Sequence, residues 1–273
     1  MRKADELHRA ARAEIAERLT SRLTEDAFVV DVGSGTGGMS AELAAALARR
    51  GGGTLLLVDA VPELLSAATD AAESAGAQHV QVNAVHADIA TQSLGELVPP
   101  AHLVWASGVV HHLPDQQAGV NNLAGALKSG GVLAVAEGGL ETHRLPWDLG
   151  IGEPGFEQRL SAARDRWLGA MRANMVESVS MPYGWNIALD KAGLVGVTSF
   201  SAVLNHPAPP SEAVRDYVCE NIEWLVETVG ERLGADDQQL ATRLLDPANS
   251  EYIGYREDLY LLGTQTVHVG LRP

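Results

Sequence analysis

Residues 27–49 read AFVVDVGSGTGGMSAELAAALAR. A β-branched run is followed by a loop with glycine at 33, 35, 37 and 38, and then by a strong helix former. Strand, glycine loop and helix open a parallel βα unit, and four glycines let a small molecule lie directly on the main chain. The rhythm continues. TLLLVDA reads as a second strand, with PELLSAATDAAESAG as its helix and Pro62 in the first turn. HVQVNAVHADI and HLVWASG supply two more strands, NNLAGALKSGG a helix ending in glycine, and VLAVAEGG a fifth strand. Strands alternating with helices predict a parallel sheet with right-handed crossovers, whose ligands bind beyond the carboxyl ends of the strands. Asp31, Asp59, Asp88, Ser107 and Glu137 all fall at such ends. Singly, each acid is a loop carboxylate or a helix cap; recurrence at three successive tips argues for a shared pocket.

Before the first strand, Leu7, Ala11, Ile15 and Leu19 recur every four residues, an amphipathic helix that needs a surface to lie on. After residue 140 the rhythm changes. HRLPWDLGIGEPG is a Pro/Gly-rich loop, 157–175 and GWNIALDKAGL read as helices, and VGVTSFSAVLN as a strand. Residues 211–246 return to helix, and YLLGTQTVHVGLRP is the last strand.

Acids outnumber bases 35 to 20, a formal net charge of −15. That balance argues against nucleic acid and against anionic membrane surfaces, which both need Lys and Arg to meet phosphates. Cys219 is the single cysteine, so no intrachain disulfide forms. MRKADELHRA has no apolar stretch of a secretory signal, and no run approaches a membrane span. A cytoplasmic location is the expectation.

Gly33, Gly35 and Gly38 satisfy the G-x-G-x-x-G spacing of dinucleotide enzymes, with Asp59 near the distance of a ribose-binding acid. Asp31 points elsewhere. A carboxylate two residues before the first glycine would face a pyrophosphate, and like charges at about 4 Å oppose each other by roughly 4 kcal/mol at an effective dielectric of about 20. The same carboxylate attracts an ammonium or a sulfonium. Asp88 can accept from an exocyclic amine while Ile89 covers a flat ring, and Gly37 adds a G-x-G-x-G spacing. Three acids around one pocket suit a cationic adenosine ligand without phosphates.

VVDVGSGTG, LLLVDA, HADI, VWASGVVHHLPD and LKSGGVLAVAE, in that order from about residue 27 to 137, resemble the successive motifs of class I S-adenosylmethionine-dependent methyltransferases of small-molecule type. The resemblance runs more loosely to AGLVGVTSF and TVHVGLRP, which look like that family's last two strands. It implies an α/β fold: a Rossmann-like three-layer sandwich with a seven-stranded, mostly parallel sheet, an antiparallel last strand and helical cap insertions. One domain is expected over 1–273. It would comprise a helical lid (1–25), a cofactor-binding core (26–140), substrate-side cap insertions (141–193 and 206–258) and the last two strands (194–205 and 259–273). By motif, Asp31, Gly33, Ser34, Gly35 and Gly37 would line the methionyl part of S-adenosylmethionine, and Ser107 would touch the same end. Asp59 would accept from the ribose hydroxyls with Ala60 beside the adenine, and Asp88 and Ile89 would hold the adenine.

Methyl transfer is an in-line displacement in which holding the nucleophile close supplies much of the rate. A base is needed only if the acceptor must lose a proton. His111 and His112 follow the fourth strand, where the resemblance puts the acceptor, and histidine titrates near neutrality. They are the catalytic candidates; the competing reading packs one ring on the cofactor and uses the other as a helix cap. Glu137, His143 and Arg144 form a second polar group, with Arg144 either a recogniser of an acidic substrate or a solvated loop residue. Trp147, Tyr183 and Trp185, near Met171, Met175 and Met181, hint at an apolar or aromatic acceptor, packing being the alternative. Arg256 and Asp258 could form a buried pair. SGVVHH lacks clustered Asp/Asn ligands, so no metal is expected. No Asn-Pro-Pro-Tyr or Asp-Pro-Pro-Tyr element follows strand four, so a small-molecule acceptor is preferred over a nucleic-acid base. A homo-oligomer is compatible with the sequence. The rival functions are a nicotinamide-dependent oxidoreductase and a non-catalytic binder of the cofactor.

Overall fold

The computed structural model describes residues 2–273, with side chains from Asp5 onward except that of Ala77. Its seven strands are β1 (Phe28–Val32), β2 (Gly53–Asp59), β3 (Val80–His86), β4 (Ala101–Ser107), β5 (Leu127–Ala136), β6 (Val195–His206) and β7 (Leu261–Leu271). They form one sheet in the order β3-β2-β1-β4-β5-β7-β6. The first five are parallel, and β7 runs antiparallel to β5, with Ala134 opposite Val269. The reversal at β1 opens the crevice where ligands of such sheets bind.

Alternation along the central strands explains why the sheet is buried on both faces. Val30 and Val32, Leu56 and Val58, Val104 and Ala106, and Leu133 and Val135 enter one core. Val29, Leu55 and Leu57, Leu103 and Trp105, and Ala134 enter the other. The first core is closed by α4 (Leu94–Leu97), α5 (Gln116–Gly125) and α7 (Trp185–Lys191). The second lies under α1 (Arg2–Thr20), α2 (Gly38–Arg49) and α3 (Pro62–Gly76). Leu7, Ala11 and Ile15 of α1 are buried, as their four-residue spacing requires.

The chain clusters into two compact units: Met1–Leu140, Glu177–Ala202 and Gln265–Pro273 make the first, Glu141–Val176 and Val203–Thr264 the second. The second holds α6 (Phe156–Ala173), α8 (Glu212–Val229) and α9 (Ala235–Leu245). They bury Phe156 and Leu160, Val218 and Ile222, and Leu240 and Leu244. Among the described residues no helix is long and apolar enough to cross a membrane.

Two element boundaries differ from the sequence reading. The helix begun at Gln116 stops at Gly125, and Leu127–Gly131 belongs to β5. Leu127 pairs with Ala101, Gly130 donates its N–H to Arg272, and Arg272 donates back to Gly131. Pairing with residues distant in sequence overrides local helix preference there. Residues 211–246 are two helices, broken by a turn at Gly230–Arg232 and restarted at Gly234.

Candidate active site

The glycine loop leaves β1 at its carboxyl end and is tied to β2. Gly33 and Ser34 both donate N–H to Val58 O, at 2.7 and 3.3 Å. Gly37 has φ +87°, and a Cβ there would lie 2.6 Å from the Ala68 backbone of α3. Gly33, at φ +67°, leaves no room for a Cβ against Val109. The loop's glycines therefore serve packing as well as ligand approach.

Asp31 follows Val29 by two residues and so faces the α1–α2–α3 side, where it is 2% exposed. Ser40 Oγ donates to its Oδ2 at 2.6 Å. Burial pushes its pKa up to about 6, the Ser40 hydrogen bond opposes this, Asp59 adds to it and Arg12 opposes it. Asp59 at the end of β2 accepts from Gly35 N–H on Oδ2 and from Val61 N–H on Oδ1, each at 2.9 Å. Asp88 is exposed, its Oδ1 accepting from Ala90 N–H while its own N–H donates to Gln92. His86 Nε2 donates to Ala60 O at 3.0 Å, and Ile89 is buried beneath.

Two cavities meet at Gly33 and Ser107. One, of about 160 Å³, is lined by Asp31, Ser34, Gly35, Trp105 and Gln265, and also by Asp5 and Arg12 of α1. The other, of about 260 Å³, is lined by Asp59, Ala60, Asp88, Ile89, His112 and Leu113. Gln265 donates to Ser107 Oγ at 3.0 Å. The sequence-predicted residues from Asp31 to Ser107 thus come together at one crevice, except Gly37, which lies behind the loop against α3.

Asp5 and Arg12 were not among the predicted site residues. Arg12 donates to Asp5 Oδ1 at 2.6 Å, and Thr36 of the glycine loop donates to Asp5 Oδ2 at the same distance. Their seven-residue spacing marks a common helix face, but nothing in the sequence says that this face meets the loop.

The two histidines separate in role. Their rings lie 3.9 Å apart, tilted by 43°. His112 lines the second cavity, and burial, assisted by His111, holds its pKa below the ordinary imidazole value against the pull of Glu137. His111 Nδ1 lies 2.7 Å from Glu137 Oε2. Glu137, 5% exposed, also accepts on Oε1 from the N–H groups of Val109 and Val110 at 3.0 and 2.8 Å.

Residues 30–133, from within β1 into β5, match a family model described as a methyltransferase domain. This segment is a class I S-adenosylmethionine-dependent methyltransferase domain. A methyltransferase domain favours the methyl-donor reading of the glycine spacing over the dinucleotide one. Solved structures share the fold of the whole chain. The BH2331 protein of Bacillus halodurans is 18% identical with a TM-score of 0.53, covering 95% of this chain and 99% of its own. YcgJ of Bacillus subtilis is 17% identical with a TM-score of 0.52, over 97% and 100%. The protein that partners the Trm112 methyltransferase activator of Haloferax volcanii is 17% identical with a TM-score of 0.50, over 99% and 94%. No curated protein matches the chain by sequence.

Residues outside the methyltransferase domain depart from the sequence reading in two places, at Arg144 and at the Arg256–Asp258 pair. Glu137 belongs to the first unit, and His143 and Arg144 to the second. Arg144 is neither solvated nor open to substrate: it is 6% exposed and donates from its guanidinium to Glu157 at 2.9 Å. Glu157 also accepts the N–H groups of Arg144 and Leu145. Arg256 and Asp258 pair at 2.8 Å, but the Asp258 side chain is 52% exposed. Of the aromatic candidates, Tyr183 and Trp185 pack against the core of the first unit and Trp147 is 65% exposed.

Proposed function

We propose that the chain transfers a methyl group from S-adenosylmethionine to a small molecule, apolar or aromatic in body and carrying an O–H or N–H. The observation that carries this is the paired cavity: a buried carboxylate at one end, two carboxylates at the other, and a glycine loop between. Those residues fit the group. Asp31 is buried with its pKa raised to about 6, and among the described residues Ser34 Oγ is buried with no hydrogen-bond partner.

When bound, S-adenosylmethionine supplies an electrophilic methyl on a positively charged sulfur. Asp31 would meet the positive charge of the methionyl end, Ser34 and Ser107 would offer hydroxyls there, and Gly33 and Gly35 would let it approach the main chain. Arg12, held by Asp5, would add a cation for the methionyl carboxylate. Asp59 would accept from the ribose, Ala60 and Ile89 would flank the adenine, and Asp88 would accept from its amine. Gly37 would support the loop by letting α2 and α3 close. His111 would take the acceptor's proton, and His112 would line the adenosine side beside it.

A net charge of −15 disfavours polyanionic acceptors. Thermal melting tests the cofactor: S-adenosylmethionine and its demethylated product should raise the midpoint, by about 2.7 kcal/mol of stabilisation at a hundredfold excess over Kd, and NAD should not. Methyl-labelled cofactor screened against phenols, alcohols and amines then identifies the acceptor. Stabilisation by NAD alone would overturn the reading.

A further inference from the structure

We infer that Glu137 is a positioning residue for the transfer: its carboxylate fixes His111 in the tautomer with hydrogen on Nδ1, making Nε2 the atom that receives the acceptor's proton. This rests on His111 acting as the base in the reading above. A carboxylate only accepts hydrogen bonds, so the 2.7 Å contact between Glu137 Oε2 and His111 Nδ1 puts the ring hydrogen on Nδ1. The carboxylate cannot turn without loss. Its Oε1 is held by Val109 and Val110 N–H and, at 3.4 Å, by His111 N–H. Its main chain is held as well. His268 donates from Nε2 to the Glu137 carbonyl at 3.2 Å, and the Ser199 hydroxyl donates to His268 Nδ1 at 2.8 Å.

Burial completes the pairing. The Glu137 side chain is 3% exposed and that of His111 39%, so a sequestered anion is coupled to a ring that reaches solvent. In the step, the acceptor's O–H or N–H breaks and its proton passes to His111 Nε2. The acceptor's electron pair forms the bond to the methyl carbon, and the carbon–sulfur pair stays on sulfur. The imidazolium so formed lies against the Glu137 carboxylate until it returns its proton to water.

Glu137→Gln tests this with an isosteric change. The three backbone donors keep the amide oxygen at the position of Oε1, which leaves the NH₂ facing Nδ1. An NH₂ only donates, so the ring must present a lone pair at Nδ1 and carry hydrogen on Nε2. Nitrogen-15 NMR of the full chain saturated with S-adenosylhomocysteine, at alkaline pH, reads the tautomer directly, with His111→Gln assigning the signal. The wild type should show Nδ1–H and E137Q Nε2–H, with S-adenosylhomocysteine affinity unchanged. With the acceptor from the screen, kcat of E137Q should fall about 100-fold or more while cofactor KM holds. A wild-type Nε2–H tautomer overturns the inference even if E137Q does not fold, and so does one tautomer in both proteins. Wild-type turnover by His111→Gln overturns the base reading, and with it any catalytic part for Glu137. The spectrum tells that failure from a failure of the tautomer argument.

Discussion

Asp31 stands at the tip of β1 with its carboxyl taken out of water and one hydroxyl, from Ser40, to satisfy it. Its pKa rises from 3.8 to about 6, chiefly through burial. The folded chain therefore keeps a proton that the unfolded chain has released, and stability falls as pH climbs through that window. The loss amounts to about 3 kcal/mol, complete above about pH 6. Asp31→Asn removes the charge and should melt higher than wild type above about pH 6, the gap closing toward about pH 4. The same variant should bind S-adenosylmethionine more weakly by calorimetry. An Asn variant that binds as tightly as wild type, with no stability gain at neutral pH, would show that the carboxylate has no cation to meet. Asp31 was legible in the sequence because its place in the strand and the glycines after it fix both face and neighbours. Arg12 was not, because its contact depends on where α1 docks.

At the scale of elements, the glycine loop shows two different demands on one residue type. Gly35 has φ +54° and nothing within 4 Å of a Cβ, whereas Gly37 combines φ +87° with the Ala68 backbone at 2.6 Å. Gly35→Ala should cost about 1–2 kcal/mol, the penalty of left-handed backbone. Gly37→Ala should cost more, because α3 has to move off α2 and no side-chain rotation relieves a backbone clash. Urea unfolding of the two variants checks the order; equal losses would mean that the helices part easily. The same distinction explains which elements could be read from sequence. β1, β2 and β4 are built on short apolar runs (28–30, 55–58 and 103–106) buried between the two cores, so composition alone identified them. Residues 127–131 are Leu-Lys-Ser-Gly-Gly, a helix ending by local rules, and become strand only through pairing with Ala101 and Arg272. Long-range pairing of that kind leaves no local mark.

At the scale of the whole molecule, the second unit has its own internal anchor. Glu157 is 4% exposed and receives four donations from Arg144 and Leu145. Glu157→Ala leaves the buried Arg144 guanidinium without its anion and should cost about 3–5 kcal/mol. Hydrogen exchange should show the loss as faster exchange of amides in 141–176; unchanged protection would mean that water replaces the carboxylate. Neither residue was legible as a pair, since a loop arginine and a helix-start glutamate thirteen positions apart look solvated until the loop folds back. The sheet order carries a consequence for synthesis. β7 lies between β5 and β6 yet is the last of the three to leave the ribosome, so β6 emerges before any neighbour it can pair with. Until β7 threads into place, a nascent chain holds an open edge on β5 and an orphan strand beside it, a substrate for chaperones and a hazard for self-association.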